Sequence, residues 1–92
     1  MAKILIPTPL RQFTGGAESV DIPGSTIDQV LGKLTNEVHP ALRNNLFTAE
    51  GKVRSFVNVY VNDDDIRYLE KGATAVKDTD TISIVPSIAG GF

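Results

Sequence analysis

The residues in this 92-residue chain that could take part in chemistry are few, and the pair with the clearest spacing is Gly90-Gly91, followed by Phe92. Two successive glycines carry no Cβ, so a backbone there can adopt angles other residues avoid and can enter a channel too narrow for a side chain. Chemistry at such a place would be that of the main chain, carried into a site held elsewhere. From Pro86 to Gly91 an extended run reaches at most ~20 Å. Glycine makes up about 7% of ordinary sequences, so a pair at two named positions arises by chance about once in two hundred chains, and its context must decide its meaning.

The other candidates are weaker. His39 stands beside Pro40 at the end of an apolar-periodic stretch, where a helix-terminal role outweighs catalysis or metal binding. Asp63-Asp64-Asp65 lacks the alternating ligands and the glycine of a calcium loop and reads as a solvated turn. Ser25 reads as a helix cap with no base near it in sequence, and Gly15-Gly16 lacks the Lys and Ser or Thr of a phosphate loop. No metal site and no cofactor are expected.

The elements that must position Gly91 follow from patterning. Lys3-Ile4-Leu5-Ile6-Pro7 is a short apolar strand closed by proline, with the character of a mid-sheet strand buried on both faces. After the Gly15-Gly16 turn, Ser19 to Ile22 alternates as a half-buried strand, which makes a hairpin with a long loop. Ile27, Val30, Leu31, Leu34 and Val38 recur at helical spacing, with Ser25 and Asp28 as the expected capping pair and Pro40 as the stop. Residues 41–55 predict an irregular crossing anchored by Leu42, Leu46 and Phe47. Phe56 to Val61 is a strand, a turn leads to a short strand near Ile66, and Thr81 to Pro86 is the last strand. Strand, strand, helix, strand, short strand, strand, with one main helix, requires two layers. The expected class is α+β, a β-grasp (ubiquitin-like) domain: a mixed sheet of four to five strands with one main helix packed across one face. Its first and last strands lie parallel at the centre. Residues 1–87 form the expected domain and 88–92 a flexible tail with the Gly-Gly-Phe end.

The totals exclude several classes. A chain of this length forms one domain and buries only about 60 to 65% of its unfolded surface, leaving little room for an enclosed substrate pocket. Nine Lys and Arg against eleven acids, scattered along the chain, make no phosphate-binding stripe, so nucleic acid is not an expected partner. Cysteine is absent, which rules out disulfides, thiolate metal sites and cysteine nucleophiles. No stretch approaches the ~20 apolar residues of a membrane span and no secretory leader is evident, so a cytoplasmic protein with no membrane partner is expected.

Against this background, Arg54-Ser55-Phe56-Val57-Asn58-Val59-Tyr60-Val61-Asn62-Asp63-Asp64-Asp65-Ile66-Arg67 resembles the third-strand signature of the MoaD/ThiS-type sulfur-carrier family. That family includes the molybdopterin synthase small subunit and the thiamin sulfur carrier, and the resemblance is strongest to its cysteine-biosynthesis branch. Pro7, Arg11 and Thr14-Gly15-Gly16 are similar to the N-terminal part of that branch, and Asp80, Ile82, Ile84, Pro86 and Ala89-Gly90-Gly91 stand at the family's spacing. The chain departs from ready-to-work members in one respect, since Phe92 follows the second glycine.

The resemblance implies a protein co-substrate rather than an enzyme. Phe92 is removed by a zinc metallopeptidase of the deubiquitinase type. An ATP-dependent adenylating and sulfurtransferase enzyme then converts the Gly91 carboxylate to a thiocarboxylate, with Ala89 and Gly90 as the tail it threads. The sulfur passes to an activated amino acid on a PLP-dependent cysteine or homocysteine synthase. A molybdopterin synthase small subunit and a ubiquitin-like protein modifier are the alternatives. Partner docking is expected on the sheet face the helix leaves bare, through Leu5, Pro7 and Val85 with Val59 or Val61 nearby, and with Arg11 as a pairing cation. The free protein is expected to be a monomer.

Overall fold

The computed structural model describes residues 1–51, 53–54 and 57–86. Five strands form one mixed sheet: β1 (Ala2–Leu5), β2 (Ser19–Ile22), β3 (Val57–Val61), β4 (Asp64–Asp65) and β5 (Thr81–Pro86), in the order β2-β1-β5-β3-β4. β1 is antiparallel to β2 and parallel to β5, and β5 is antiparallel to β3. The first and last strands therefore share the centre, as the β-grasp order requires. Phe56, expected as the first residue of the third strand, lies outside the described residues.

A main helix, α1 (Ile27–Lys33), crosses one face of the sheet. Its buried stripe is the one the periodicity predicts, with Ile27, Val30, Leu31 and Leu34 at most 1% exposed. Two details differ from the sequence reading. The cap is Thr26, whose Oγ1 accepts the Gln29 N–H at 3.2 Å, while Gln29 Oε1 accepts from Ser25 N–H and from Ser25 Oγ, each at 2.9 Å. Ser25 and Asp28 are not the capping pair, because the extended residue at the helix entry is Thr26. Beyond Lys33 the helix widens into a π turn over Leu34–Val38, closed by the His39 N–H on the Leu34 carbonyl at 2.7 Å. The wider turn moves Val38 out to 42% exposure and places Thr35 inward, where its Oγ1 donates to the Leu31 carbonyl at 2.9 Å. His39 leaves the helical region just before Pro40 and ends the helix there, as expected.

Among its described residues the crossing contains a 3-10 turn, Pro40–Leu42, that leads into a short helix, α2 (Arg43–Leu46), and Leu42 and Leu46 are the anchors, fully buried against the core. β1 is central but not buried on both faces. Ala2 and Ile4 are buried, whereas Lys3 and Leu5 point to the side with no helix. The core is thus one layer, between the helix and the sheet. The chain is an α+β, β-grasp domain.

Candidate functional site

The site that would serve Gly91 starts where β5 ends. β5 lies between β1 and β3, and its last described residue, Pro86, pairs with Val57. The described chain thus ends in the middle of the sheet. Ala89, Gly90, Gly91 and Phe92, the expected tail and processing residues, lie outside the described residues.

Register sorts the remaining candidates by face. Leu5 pairs with Ser83, Ser83 with Tyr60, and Asn58 with Val85, and paired residues share a face. Leu5 and Val85 stand on the bare face at 40% and 43% exposure, where the sequence placed them. Val59 and Val61 do not. They are 2% and 7% exposed and belong to the core beneath the helix, because the alternation of β3 puts odd-numbered residues inward. The β3 residues on the bare face are Asn58 and Tyr60, both half-buried.

One cation borders this face that the sequence reading did not assign a role. The Asp65 carboxylate accepts the Arg67 backbone N–H at 2.9 Å and Arg67 Nη2 at 3.0 Å, and the same guanidinium donates to Asn58 Oδ1. Asp65 is only 9% exposed at its side chain, against 57% for Arg67. The Arg67 side chain, and then its backbone N–H, hold the Asp65 carboxyl below the usual carboxylate range; the same hydrogen bond raises Arg67. Arg67 is thereby oriented beside the row containing Val85. The signal in the sequence is the acid two residues before the arginine at the end of a turn.

Arg11 is engaged elsewhere. Its Nε donates to the Ile6 carbonyl at 3.1 Å and its Nη1 lies 3.9 Å from Glu18, so it braces the loop between β1 and β2. Thr14 Oγ1 reaches the carbonyls of Arg11 and Ala17, each at 3.1 Å, and Gly15 and Gly16 hold φ of 66° and 87°, which needs glycine. Pro7 is half-buried and opens a 3-10 turn over Thr8–Phe13, with its carbonyl accepting the Leu10 N–H at 2.9 Å. At the opposite end of β5, Asp80 ties three segments together: Oδ2 accepts the Lys77 N–H at 2.9 Å, Oδ1 accepts Asn62 Nδ2 at 3.2 Å, and its carbonyl accepts the Lys3 N–H at 3.2 Å.

No group of three or more His, Asp or Glu that could hold a metal occurs among the described residues. A cavity of about 630 Å³ opens on the helical side, lined by Asp28, Phe47, Val53, Arg54, Val57 and Lys71 among others. No serine, threonine or histidine lines it among the described residues, so it offers no nucleophile–histidine pair.

The ThiS family model matches residues 4–91, which is almost the whole fold together with both glycines. The chain belongs to the ThiS family. Among its relatives, the sulfur carrier protein CysO of Mycobacterium tuberculosis is 40% identical over 90 residues, 96% of each chain. A chain in the crystal structure of the Amycolatopsis orientalis BexX/CysO complex superposes with a TM-score of 0.88 at 38% identity, covering 99% of this chain and 100% of that one. The small archaeal modifier protein 1 of Methanosarcina acetivorans superposes with a TM-score of 0.84 at 29% identity, covering 98% and 95%. No helix among the described residues of this ThiS-family chain is long and apolar enough to cross a membrane.

Proposed function

We propose that this chain is a sulfur carrier, a co-substrate rather than a catalyst, whose working group is the carboxyl of Gly91. The observation that carries the reading is the family match that runs from the first strand through Gly90-Gly91 in a chain whose last strand is the sheet's centre. Residues 1–87 act as the compact body and 88–92 as the reaching tail. Because Phe92 follows Gly91, a peptidase must first cut after Gly91, and a zinc metallopeptidase of the deubiquitinase type fits that role. An adenylating enzyme spends ATP to form the acyl-adenylate of Gly91, sulfur displaces AMP, and the thiocarboxylate is left. Its sulfur attacks an activated serine or homoserine derivative on a PLP-dependent synthase, and cleavage of the product restores the tail. These steps belong in the cytoplasm.

Docking of the adenylating enzyme falls to the bare face. Leu5 and Val85 supply apolar contact, Tyr60 stands at the far end of the row that runs from Leu5 through Ser83, and Arg67, rather than Arg11, supplies an oriented cation at the rim. Soluble proteins seldom keep apolar residues together on an open face without a use.

The test is direct. Protein ending at Gly91, incubated with the adenylating enzyme, ATP and sulfide, should exchange one oxygen for one sulfur at Gly91 by intact mass; an unchanged mass with an enzyme that loads a known carrier would sink the reading. The likeness to an archaeal modifier favours one second reading, conjugation to protein lysines. Isopeptide-linked adducts in cells, dependent on Gly91, would establish it.

A further inference from the structure

The parallel ladder between β1 and β5 stops abruptly. In a parallel pair every second residue of one strand bonds to the two residues that flank its partner. Lys3 is paired with Thr81, and its N–H reaches the Asp80 carbonyl, which sets the frame. The register then runs Ile4 with Ile82 and Leu5 with Ser83. Carried forward, the next two rungs would be the N–H of residue 7 on the Ile84 carbonyl and the N–H of residue 86 on the carbonyl of residue 7. Both donors are proline, and proline has none.

The acceptors are disposed accordingly. The Pro7 carbonyl, which the second missing rung would use, accepts Leu10 N–H instead, and the chain turns away from β5 into the Thr8–Phe13 turn. Pro86 stays half-buried at the end of β5, paired across to Val57 on the other side. One proline would already break a rung; one on each strand, at consecutive rungs, prevents the ladder from closing again further along.

We propose that Pro7 and Pro86 are positioning residues that fix the last rung between β1 and β5 and so set the length of chain available to carry Gly91 into a partner. This rests on the sulfur-carrier reading for its purpose, though not for its structural half. From Pro86 to Gly91 the chain spans at most ~20 Å when extended, so each residue drawn back onto β1 removes ~3.3 Å of reach. Pro86 is not among the docking residues, so its role requires no contact with the partner or with the reacting carboxyl.

The test uses protein trimmed to end at Gly91 and two variants of it, P86V and P7V/P86V. The first restores one donor; the second restores both. Amide hydrogen exchange at the introduced amide of position 86 should be slowed at least about fivefold relative to an unstructured peptide, the effect of one net hydrogen bond. Sulfur loading of P86V by the adenylating enzyme should show kcat reduced about fivefold with KM little changed, since every docking residue is intact in that variant. Inserting two residues between Ser87 and Ile88 of P86V should restore kcat, which a merely structural role for proline would not predict. Should P7V/P86V fail to fold, P86V alone carries the test. Exchange at the unstructured rate overturns the ladder argument, and protected amides with unchanged kcat overturn the positioning role. If the unmutated protein itself gains no sulfur, the sulfur-carrier reading fails, and the exchange measurement still decides whether the prolines stop the ladder.

Discussion

Replacing Val59 and Val85 separately by alanine tests the assignment of the two sheet faces. The chemistry deleted is the same, two methylene equivalents, and only the surroundings differ: Val59 is 2% exposed under the helix and Val85 is 43% exposed on the bare face. At ~0.8 kcal/mol per buried methylene, Val59→Ala loses ~1.6 kcal/mol of transfer free energy. The space left beside Ile84 and beneath the helix adds a cavity cost, for a total of ~2–3 kcal/mol. A domain of this size shifts about 4–8 °C per kcal/mol, so the melting temperature should fall by ~10–20 °C. Val85→Ala removes area already half in water, and with a compact unfolded state the loss is ~0.5 kcal/mol, or ~2–4 °C. Thermal melts followed by far-UV circular dichroism give both numbers. Sulfur loading measured well below both melting points should then show the reverse order, with KM for the adenylating enzyme raised by Val85→Ala and unchanged by Val59→Ala. Equal melting shifts would refute the face assignment. Unaltered loading of Val85→Ala, and of a Leu5→Ala/Val85→Ala pair, would refute the docking surface.

Three further outcomes are expected. Asp80→Ala, which strips bonds from Lys77 and Asn62, should cost ~1–2 kcal/mol in urea unfolding at neutral pH. The Lys77 N–H first, and Asn62 second, hold the Asp80 carboxyl below its ordinary value. Its contribution is therefore complete above the unfolded value of ~3.9 and disappears as pH falls through the lower folded value, so stability against acid should drop less steeply in Asp80→Asn than in the parent. Gly24 sits at φ 156°, and a Cβ there would lie 2.8 Å from Val30 Cγ2 and 3.2 Å from Val30 N. Gly24→Ala should thus destabilise by ~1–3 kcal/mol in the same urea assay, whereas Gly32→Ala, with open space around it, should not. Thr26→Ala should cost ~1 kcal/mol through the lost cap, and Ser25→Ala clearly less, which checks the corrected helix start.

Much of the frame is legible in the chain because it rests on local physics. Ile27, Val30, Leu31 and Leu34 announce the helix face by spacing alone, Pro40 its end, and the alternation of Thr81 to Pro86 its strand. The site is only partly legible. Leu5 and Val85 follow from strand parity, and so in principle do Asn58 and Tyr60. Parity gives two faces without saying which is covered, and Val59 and Val61 were placed on the wrong one. The π turn at Leu34–Val38 leaves no periodic trace either, since a single widened turn reverses Val38 and Thr35 without altering the apolar spacing that precedes it.

By itself the amino-acid sequence determined the elements, their order, the absence of thiol chemistry and the pair of glycines after the last strand, because each depends on residue type and near-neighbour spacing. Which strands meet is a non-local matter. Only the folded sheet brings Pro7 level with Pro86 across nearly eighty positions of chain, turns Arg67 toward Asn58, and decides that Val59 is core while Val85 faces outward. Those outcomes are set by the register of β1 on β5 and by the side of the sheet the helix covers, and a single-residue shift in either would exchange every inward side chain for its outward neighbour.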